Sequence, residues 1–242
     1  MMIFRLYFIG VLFCFLGSSF AQMNYGRIVF ERKTNLYKSL KHWEDIKEWV
    51  KESDKNKVDQ FELFYNDTAS IFKPIESEFR EKFEWATNKN TTLQNHKSKL
   101  KTTHKAIWGE TFLLEDSLIK RKWKLTDSKR VICGYECRKA IWQENDSSRI
   151  YAWYTDEIIP SFGPESFNGL PGMILGLATE DGGIIYFAKK IVSVKPIQSD
   201  FKLAKTRKKP MKTNEFKDML QKDYGKEKWG KAMLLNNFGG VN

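Results

Sequence analysis

Short apolar runs, separated by turn signals, recur along the chain at lengths typical of β-strands. The predicted strands lie at residues 25–32, 61–65, 69–72, 102–108, 110–116, 121–126, 135–143, 149–156, 173–179 and 184–194. Turn residues at Asn66-Asp67 and at 181–183 predict hairpins within this series. Because few helical patterns interrupt the strands, we expect an antiparallel sheet and no parallel βαβ fold.

Two segments carry helical periodicity. In residues 40–51 the apolar side chains lie close to one helical stripe, with Ser39 as the cap; a lid-like crossing segment is the alternative. A second helix is predicted from a Thr213 cap to a stop at Gly225. Residues 76–95 predict a loop or a frayed helix. The whole pattern predicts an α+β, mostly β fold: a curved antiparallel sheet, a half-barrel or bowl, with a few covering helices and a basic C-terminal tail.

The first 21 residues have the organisation of a signal peptide. A positive charge near the start precedes the apolar residues 6–16, and small residues precede the cleavage point expected after residue 21. The apolar stretch is shorter than the roughly 20 residues that a membrane span needs, and no later segment is long and apolar enough. We therefore expect an exported protein without a transmembrane segment after cleavage. It would consist of a β-rich domain over residues 22–194 and a basic segment with a short helix over residues 195–242.

The chain is basic, with 41 Lys and Arg residues against 30 Asp and Glu residues and a formal net charge of +11. The excess concentrates in residues 195–242, where 12 Lys and Arg residues stand against 5 Asp and Glu residues. This segment predicts an acidic partner: anionic lipid head groups, lipopolysaccharide phosphates or an acidic protein face. The alternative is a solvated tail. Nucleic acid is not expected as a partner of an exported chain without a binding motif.

Residues 163–175, GPESFNGLPGMIL, form the most distinctive motif. Pro171 and Gly172 suit the two central positions of a type II turn, which needs positive φ at the second. Phe167 and Leu170 make the segment more apolar than a connecting surface loop, so we expect these side chains to dock onto a core or a ligand groove. The motif holds no nucleophile beside a base, no metal-ligand spacing and no phosphate-binding glycine run. We therefore assign no catalytic residue, no metal and no cofactor.

Three blocks in this part of the chain occur in a fixed order: residues 134–140, GYECRKA; residues 152–155, AWYT; and residues 163–175. They resemble the GLPGLI family of secreted proteins of Gram-negative bacteria, with Met173 where the family name has Leu, a nearly volume-conserving exchange. The motif positions are Gly134, Tyr135, Cys137, Gly163, Pro164, Gly169, Pro171 and Gly172. The resemblance implies a periplasmic, extracellular or outer-membrane-associated protein, and the family has no established activity to carry over.

Cys133 and Cys137 remain after signal cleavage. The exported compartment permits a disulfide between them. On one extended strand their Cα atoms would lie about 13 Å apart, whereas a bridge needs less than about 7 Å, so a disulfide requires a turn at Gly134-Tyr135. The alternative is two small, half-buried thiols in a strand. Zinc is not expected, because no Cys or His pair at ligand spacing lies nearby.

An aromatic strand leads into the motif. If the sheet is curved, one face of its rings would line the concavity, and rings with polar tips suit a half-wet ligand site. The candidate ligand-binding residues are Trp153, Tyr154, Phe162, Phe167 and Leu170. A packed core made by these rings is the alternative. The first functional hypothesis is a non-enzymatic binding or carrier module for an apolar or amphipathic ligand or a partner's peptide.

Two other functions stay open at this point. Asp156, Glu157 and Glu165 lie close to the motif, and an envelope hydrolase would need at least two of these carboxylates to converge in a cleft with a shifted pKa. A structural or assembly protein that binds other envelope proteins would instead show an exposed apolar patch or an open sheet edge.

Overall fold

A computed structural model of the chain describes residues 22–43, 47–79, 82–107, 109–145, 148–206 and 208–238. The predicted signal peptide, residues 1–21, lies outside the described residues. Among the residues that are described, no helix has the length and apolar character needed to cross a membrane.

The described strands pair into one eleven-stranded antiparallel sheet. They are β1 (Gly26–Asn35), β2 (Asn56–Tyr65), β3 (Ala69–Pro74), β4 (Thr91–Asn95), β5 (Leu100–Ile107), β6 (Glu110–Ser117), β7 (Lys124–Ile132), β8 (Tyr135–Asn145), β9 (Ser148–Thr155), β10 (Met173–Thr179) and β11 (Ile184–Val192). The spatial order is β6-β5-β4-β3-β2-β1-β11-β10-β9-β8-β7, so that two meanders join where β1 pairs with β11. The α+β, mostly β prediction is confirmed.

The short connection between the two edge strands shows that the sheet is curved. Strands β6 and β7 stand at opposite edges, yet residues 118–123 alone connect them. This connection reaches about 25 Å at full stretch, whereas eleven flat strands would separate the edges by about 48 Å. In addition, the Cys133 thiol, in the turn after β7, donates to the Ala188 carbonyl oxygen of β11 at 3.1 Å. The sheet is therefore an open bowl, as predicted.

The described residues contain three short helices: α1 (Leu36–Ser39), α2 (Thr213–Tyr224) and α3 (Lys228–Phe238). Helix α1 follows Asn35, whose extended backbone suits an N-cap and whose side-chain oxygen accepts from the Lys38 N–H at 3.3 Å. The predicted cap at Ser39 is therefore wrong. Residues 44–46 of the helix predicted at 40–51 lie outside the described residues, and its described part is mainly turn.

Helices α2 and α3 pack on the β5 and β6 side of the sheet through a second apolar cluster. Thr213 is the first residue of α2 and not its cap, because its N–H and its hydroxyl donate to the Asp116 carboxylate of β6 at 3.2 and 2.6 Å. Gly225 ends the helix, as predicted. Helix α3 was not predicted, because its apolar residues do not align in one stripe.

Strand β4 lies in the segment 76–95, which was expected to be loop or frayed helix. Only Leu93 is apolar in this strand, so its own pattern does not indicate a strand. Pairing with β3 on one side and β5 on the other determines its conformation. The prediction was therefore wrong for β4, because tertiary pairing overrides local pattern.

The motif loop, defined here as residues 156–172 between β9 and β10, enters the main apolar core. Phe162, Phe167 and Leu170 are buried there among side chains from both meanders. The indole N–H of Trp123, in the connection from β6 to β7, donates to the carbonyl oxygen of Asn168 at 3.0 Å. The loop therefore docks its apolar side chains onto a core, one of the two predicted alternatives.

The turn at Pro171-Gly172 is tighter than the predicted type II turn. The Gly172 N–H donates to the Leu170 carbonyl oxygen at 2.8 Å, which is the bond of a γ-turn centred on Pro171. The Met173 N–H, which a type II turn would direct to Leu170, donates to Ile158 at 3.0 Å. The type II assignment is therefore wrong, because pairing with Ile158 removes its hydrogen bond. Gly172 does have the expected positive φ, 132°.

The possible disulfide between Cys133 and Cys137 is not formed. Cys133 and Gly134 are the two residues of the turn between β7 and β8, with φ of 51° and 86°, as in a type I′ hairpin turn. This turn leaves Cys133 exposed at its tip, while Cys137 is buried in the main core. Both thiols are free, as in the alternative of two half-buried thiols in a strand, but only Cys137 lies in a strand and Cys133 is exposed in the turn.

Candidate ligand cavity and the adjacent charge cluster

Strands β1 and β11 form the floor of a cavity of about 840 Å³. Arg32 and Thr34 are two residues apart on β1 and therefore point to the same face of the sheet. They pair in register with Tyr186 and Ile184 of β11, and all four residues line the cavity. A cavity of this size is within the range of small-molecule sites.

The walls of the cavity are mostly apolar. They include Leu40, Trp43, Trp49, Phe83, Trp85 and Met233. Trp49 and Trp85 are 69% and 59% exposed, whereas indole side chains are on average highly buried. These two side chains therefore offer apolar surface that a ligand in the cavity would cover.

Beside the floor, the carboxylate of Asp59 on β2 is shared by three cations. Arg32 and Lys57 lie 2.7 and 2.5 Å from its oxygens, and Lys89 lies 3.7 Å away. Burial raises the pKa of Asp59, but the two closest cations outweigh burial and hold the pKa below its ordinary value. Lys89 is also 3.4 Å from Glu84, whose side chain is largely exposed. Arg32, Lys57 and Lys89 thus surround the Asp59 carboxylate beside the cavity floor.

Tyr186 links the cavity floor to the motif loop. Its hydroxyl donates to Glu165 Oε1 at 2.5 Å and accepts from Arg32 Nη1 at 3.5 Å. Glu165 is 6% exposed and has a φ of 57°, in the left-handed region that non-glycine residues seldom occupy. Burial raises the pKa of Glu165 against the opposing effect of Arg32, Tyr186 and Lys105. The motif loop therefore places a buried carboxyl group against the floor residue Tyr186 and does so with backbone strain at Glu165.

The predicted ligand-binding residues lie away from this cavity. Tyr154, Phe162, Phe167 and Leu170 are buried in the main core, and Trp153 is half-buried against it. None of the five lines the cavity described above. Four of them therefore have the packing role that was the alternative at the sequence level, and a ligand contact by these residues stays a prediction.

The three carboxylates near the motif occupy different surroundings. Asp156 is exposed and lies 4.0 Å from Arg138, whereas Glu165 is buried against Tyr186. Glu157 is half-buried, and its backbone N–H donates to the Thr155 hydroxyl at 3.4 Å. The pair in one cleft that a hydrolase would need is not observed among these groups. In the described part of the chain, no group of three or more His, Cys, Asp or Glu residues is arranged to hold a metal ion.

Sequence reasoning missed Arg32, Asp59 and Tyr186 as a group. They lie on β1, β2 and β11, which neighbour each other in the sheet although β11 is distant in sequence. A signal was present on β1, where Ile28, Phe30 and Arg32 occupy alternate, inward positions. A charged residue in such a series is expected to be buried with a partner, but the partner is identified only by the strand order.

Comparison with protein families finds one short match. Residues 142–176 match the model of a family described as a protein of unknown function (Porph_ging). The matched stretch contains the last four residues of β8, all of β9, the motif loop and the first four residues of β10. No curated protein matches the chain.

Solved structures show a similar fold at low sequence identity. Two crystal forms of PNGF-II, C2 and P21, superpose with TM-scores of 0.56 and 0.58 at 17% and 16% identity. Each match covers 83% of this chain and 33% or 34% of the PNGF-II chain. The chain thus spans about a third of the length of the PNGF-II chain, and the likeness concerns the fold alone.

Proposed function

We propose that the protein is a non-enzymatic binding or carrier module whose cavity holds an apolar or amphipathic ligand. The observation that carries this proposal is the cavity of about 840 Å³, with four aromatic side chains on its walls and polar groups on its floor. Sites for small ligands are usually concave and mostly apolar, with a few placed polar groups. Removing apolar ligand surface and exposed indole surface from water would drive binding.

The support of the cavity by the sheet favours binding without large rearrangement. The floor residues Arg32 and Tyr186 lie on neighbouring strands near the middle of the sheet, and both side chains are buried. A preformed floor reduces the ordering cost that a ligand has to overcome. The wall is less enclosed, because Trp49 and Trp85 are exposed, and it offers a route of entry.

We propose the cell envelope of a Gram-negative bacterium as the location of this module. The signal-peptide pattern and the resemblance to the GLPGLI family support export to the periplasm or the outer surface. Exposed lysines of the basic segment support steering to an anionic envelope surface: Lys195, Lys202, Lys205, Lys208, Lys209 and Lys212.

Titration of the mature chain, residues 22–242, with the uncharged dye Nile red tests the proposal. We expect saturable one-to-one binding with a blue-shifted emission, because the dye enters an apolar environment. Trp85→Ala removes an exposed indole from the wall and should weaken binding about tenfold, the effect of about 1.4 kcal/mol.

Phe79→Ala is the matched control. Phe79 is an aromatic residue that is 80% exposed and does not line the cavity, so this variant should bind the dye as the wild type does. Absence of saturable binding would contradict the proposal. An equal loss in the two variants would show that the dye binds exposed aromatic surface and not the cavity.

A further inference from the structure

Residues 194–212, which we call the basic strip, connect β11 to α2 and carry more than half of the formal net charge. Seven Lys and Arg residues in the strip stand against one Asp residue, an excess of six in a chain with a net charge of +11. In the described part of the chain, four lysines of the strip are exposed and have no carboxylate within ion-pair distance: Lys195, Lys202, Lys205 and Lys209. Their ammonium groups are therefore accessible to an external partner.

The strip turns one side to the protein and the other side to solvent. Phe201 and Leu203 are half-buried and flank the exposed Lys202, and the half-buried Met211 precedes the exposed Lys212. Alternate side chains of an extended segment point in opposite directions. The apolar side chains of the strip therefore pack towards the protein, while the lysines point away from it.

Contacts with the sheet hold the strip in place along its length. Near its start, the Ile197 N–H donates to the Asp200 carboxylate at 2.8 Å, and this short helical turn contacts β3. Near its end, the Met211 N–H donates to the Leu113 carbonyl oxygen of β6 at 3.0 Å, and the Met211 carbonyl oxygen accepts from the Glu115 N–H at 2.9 Å. Strands β11 and β6 are six strand spacings apart, about 29 Å along the sheet. The lysines are thus spread over an extended surface and not gathered at one point.

Two apolar side chains of the strip are also exposed. Ile197 is 65% exposed and Val194 is 43% exposed, and both lie next to or near Lys195 in sequence. A bilayer surface accepts both kinds of side chain at once, because its anionic head groups attract lysines and its interface takes up apolar groups. An acidic protein face would need a separate apolar pocket for Ile197. The combination therefore favours a lipid surface.

We infer that the basic strip docks the protein onto an anionic lipid bilayer, with its lysines at the head groups and Ile197 in the interface. This inference does not depend on the ligand cavity, and it specifies the kind of envelope surface to which the basic segment binds. The attraction is electrostatic and therefore reversible and sensitive to salt.

Co-sedimentation of the mature chain, residues 22–242, with vesicles tests the inference. The vesicles contain phosphatidylcholine alone or phosphatidylcholine with phosphatidylglycerol. We expect binding to the anionic vesicles only, at about 0.1 M salt, and its loss at about 1 M salt, where the Debye length falls from about 10 Å to about 3 Å. Absence of binding at the lower salt concentration would overturn the inference and favour an acidic protein face as the partner. Equal binding to both kinds of vesicle would also overturn it.

Two triple variants separate the strip from net charge. Replacing three strip lysines by glutamine, at positions Lys202, Lys205 and Lys209, should lower the vesicle partition coefficient about tenfold or more. The control removes the same charge from exposed lysines outside the strip, Lys41, Lys47 and Lys51, and should bind as the wild type does. Equal losses would show that net charge alone attracts the protein and would overturn the inference. None of the six lysines lines the cavity, so this failure would leave the proposed ligand binding standing.

Ile197→Ser tests the apolar contact with the interface. It should lower the partition coefficient about threefold, because less apolar surface is buried in the interface. Val131→Ser is the control, since Val131 is 70% exposed on β7 and lies outside the strip, and it should bind as the wild type does. Equal partition coefficients for the two variants would contradict the insertion of Ile197.

Discussion

The hydroxyl of Tyr186 on β11 donates a 2.5 Å hydrogen bond to the carboxyl group of Glu165 in the motif loop. Both side chains are buried, at 2% and 6% exposure. Tyr186 also lines the cavity, so one hydrogen bond ties the most distinctive segment of the sequence to the candidate binding site. We infer that the motif loop stabilises the cavity floor through this hydrogen bond, and that the loop itself does not contact a ligand in this cavity.

Tyr186→Phe should destabilise the protein. The substitution keeps the ring in the core but removes the donor to Glu165, and a buried acceptor without its partner costs about 1–3 kcal/mol. Urea unfolding at pH 7 measures this free energy. Tyr151→Phe is the control, because the Tyr151 hydroxyl is bonded at the surface to Glu180 at 3.3 Å, and its loss should change stability by less than about 0.5 kcal/mol. Equal effects of both substitutions on the free energy of unfolding would contradict a stabilising role for the hydrogen bond between Tyr186 and Glu165.

Glu165→Gln should change the pH dependence of stability. Burial raises the pKa of Glu165 in the folded state. The folded protein then holds a proton that the unfolded chain releases near pH 4.3, roughly the ordinary value for Glu. The stabilisation that the protonated Glu165 side chain contributes is therefore complete below the pKa of the unfolded chain. It is lost as the pH rises through the pKa of the folded state.

The glutamine variant still accepts from Tyr186 and has no such loss. Its stability relative to the wild type should therefore be higher at pH 7.5 than at pH 4, as measured by urea unfolding at both values. Asp156→Asn, at an exposed carboxylate, is the control and should change stability by less than about 0.5 kcal/mol. A difference in unfolding free energy between Glu165→Gln and the wild type that is equal at both pH values would contradict a raised pKa for Glu165.

Asp59→Asn should strongly destabilise the protein. It leaves Arg32 and Lys57 buried without their shared counter-charge, a loss of about 3–5 kcal/mol. The pKa of Asp59 is lowered in the folded state, so its stabilising contribution is present above the unfolded pKa and is lost as the pH falls through the folded pKa. The wild type should therefore lose its advantage over the variant in acid. A difference in unfolding free energy between the wild type and Asp59→Asn that stays constant as the pH falls would contradict a lowered pKa for Asp59.

Gly172→Ala should destabilise the protein by clearly more than about 1 kcal/mol. Residue 172 has positive φ, and an added Cβ would lie 2.0 Å from the carbonyl oxygen of Thr155. Gly182→Ala is a matched control, because Gly182 also has positive φ but no atom within 4 Å of an added Cβ. Thermal unfolding should show a cost of about 1 kcal/mol for the control. Equal costs at the two positions would mean that backbone conformation alone, and not the contact with Thr155, requires glycine.

The fold was largely predictable from the sequence. Alternating patterns such as Ile28 and Phe30 on β1 identify strands, and the scarcity of helical periodicity identifies an antiparallel sheet. Strand β4 was missed because Leu93 is its only apolar residue, and its conformation depends on neighbours on both sides. Curvature was predicted in general terms, and the short connection between β6 and β7 explains it.

The candidate site was much less predictable. The aromatic residues that the sequence favoured, such as Phe167, fill the core, because the motif loop that carries them folds into the bowl. The cavity instead combines floor residues from β1 and β11 with wall residues from α3, from the segment 40–51, which carries Trp49, and from the segment 76–95, which carries Trp85. No local pattern brings these segments together. Their proximity follows from the strand order and from packing of the helices beside the sheet.

Native mass spectrometry of the mature protein, purified from its own source and then extracted with organic solvent, tests the central claim most directly. We predict a one-to-one complex whose excess mass is an apolar or amphipathic ligand that disappears on extraction and is recovered in the solvent. A bare chain mass before and after extraction, together with no saturable binding of Nile red by the same protein, would contradict the claim that this cavity is a ligand site.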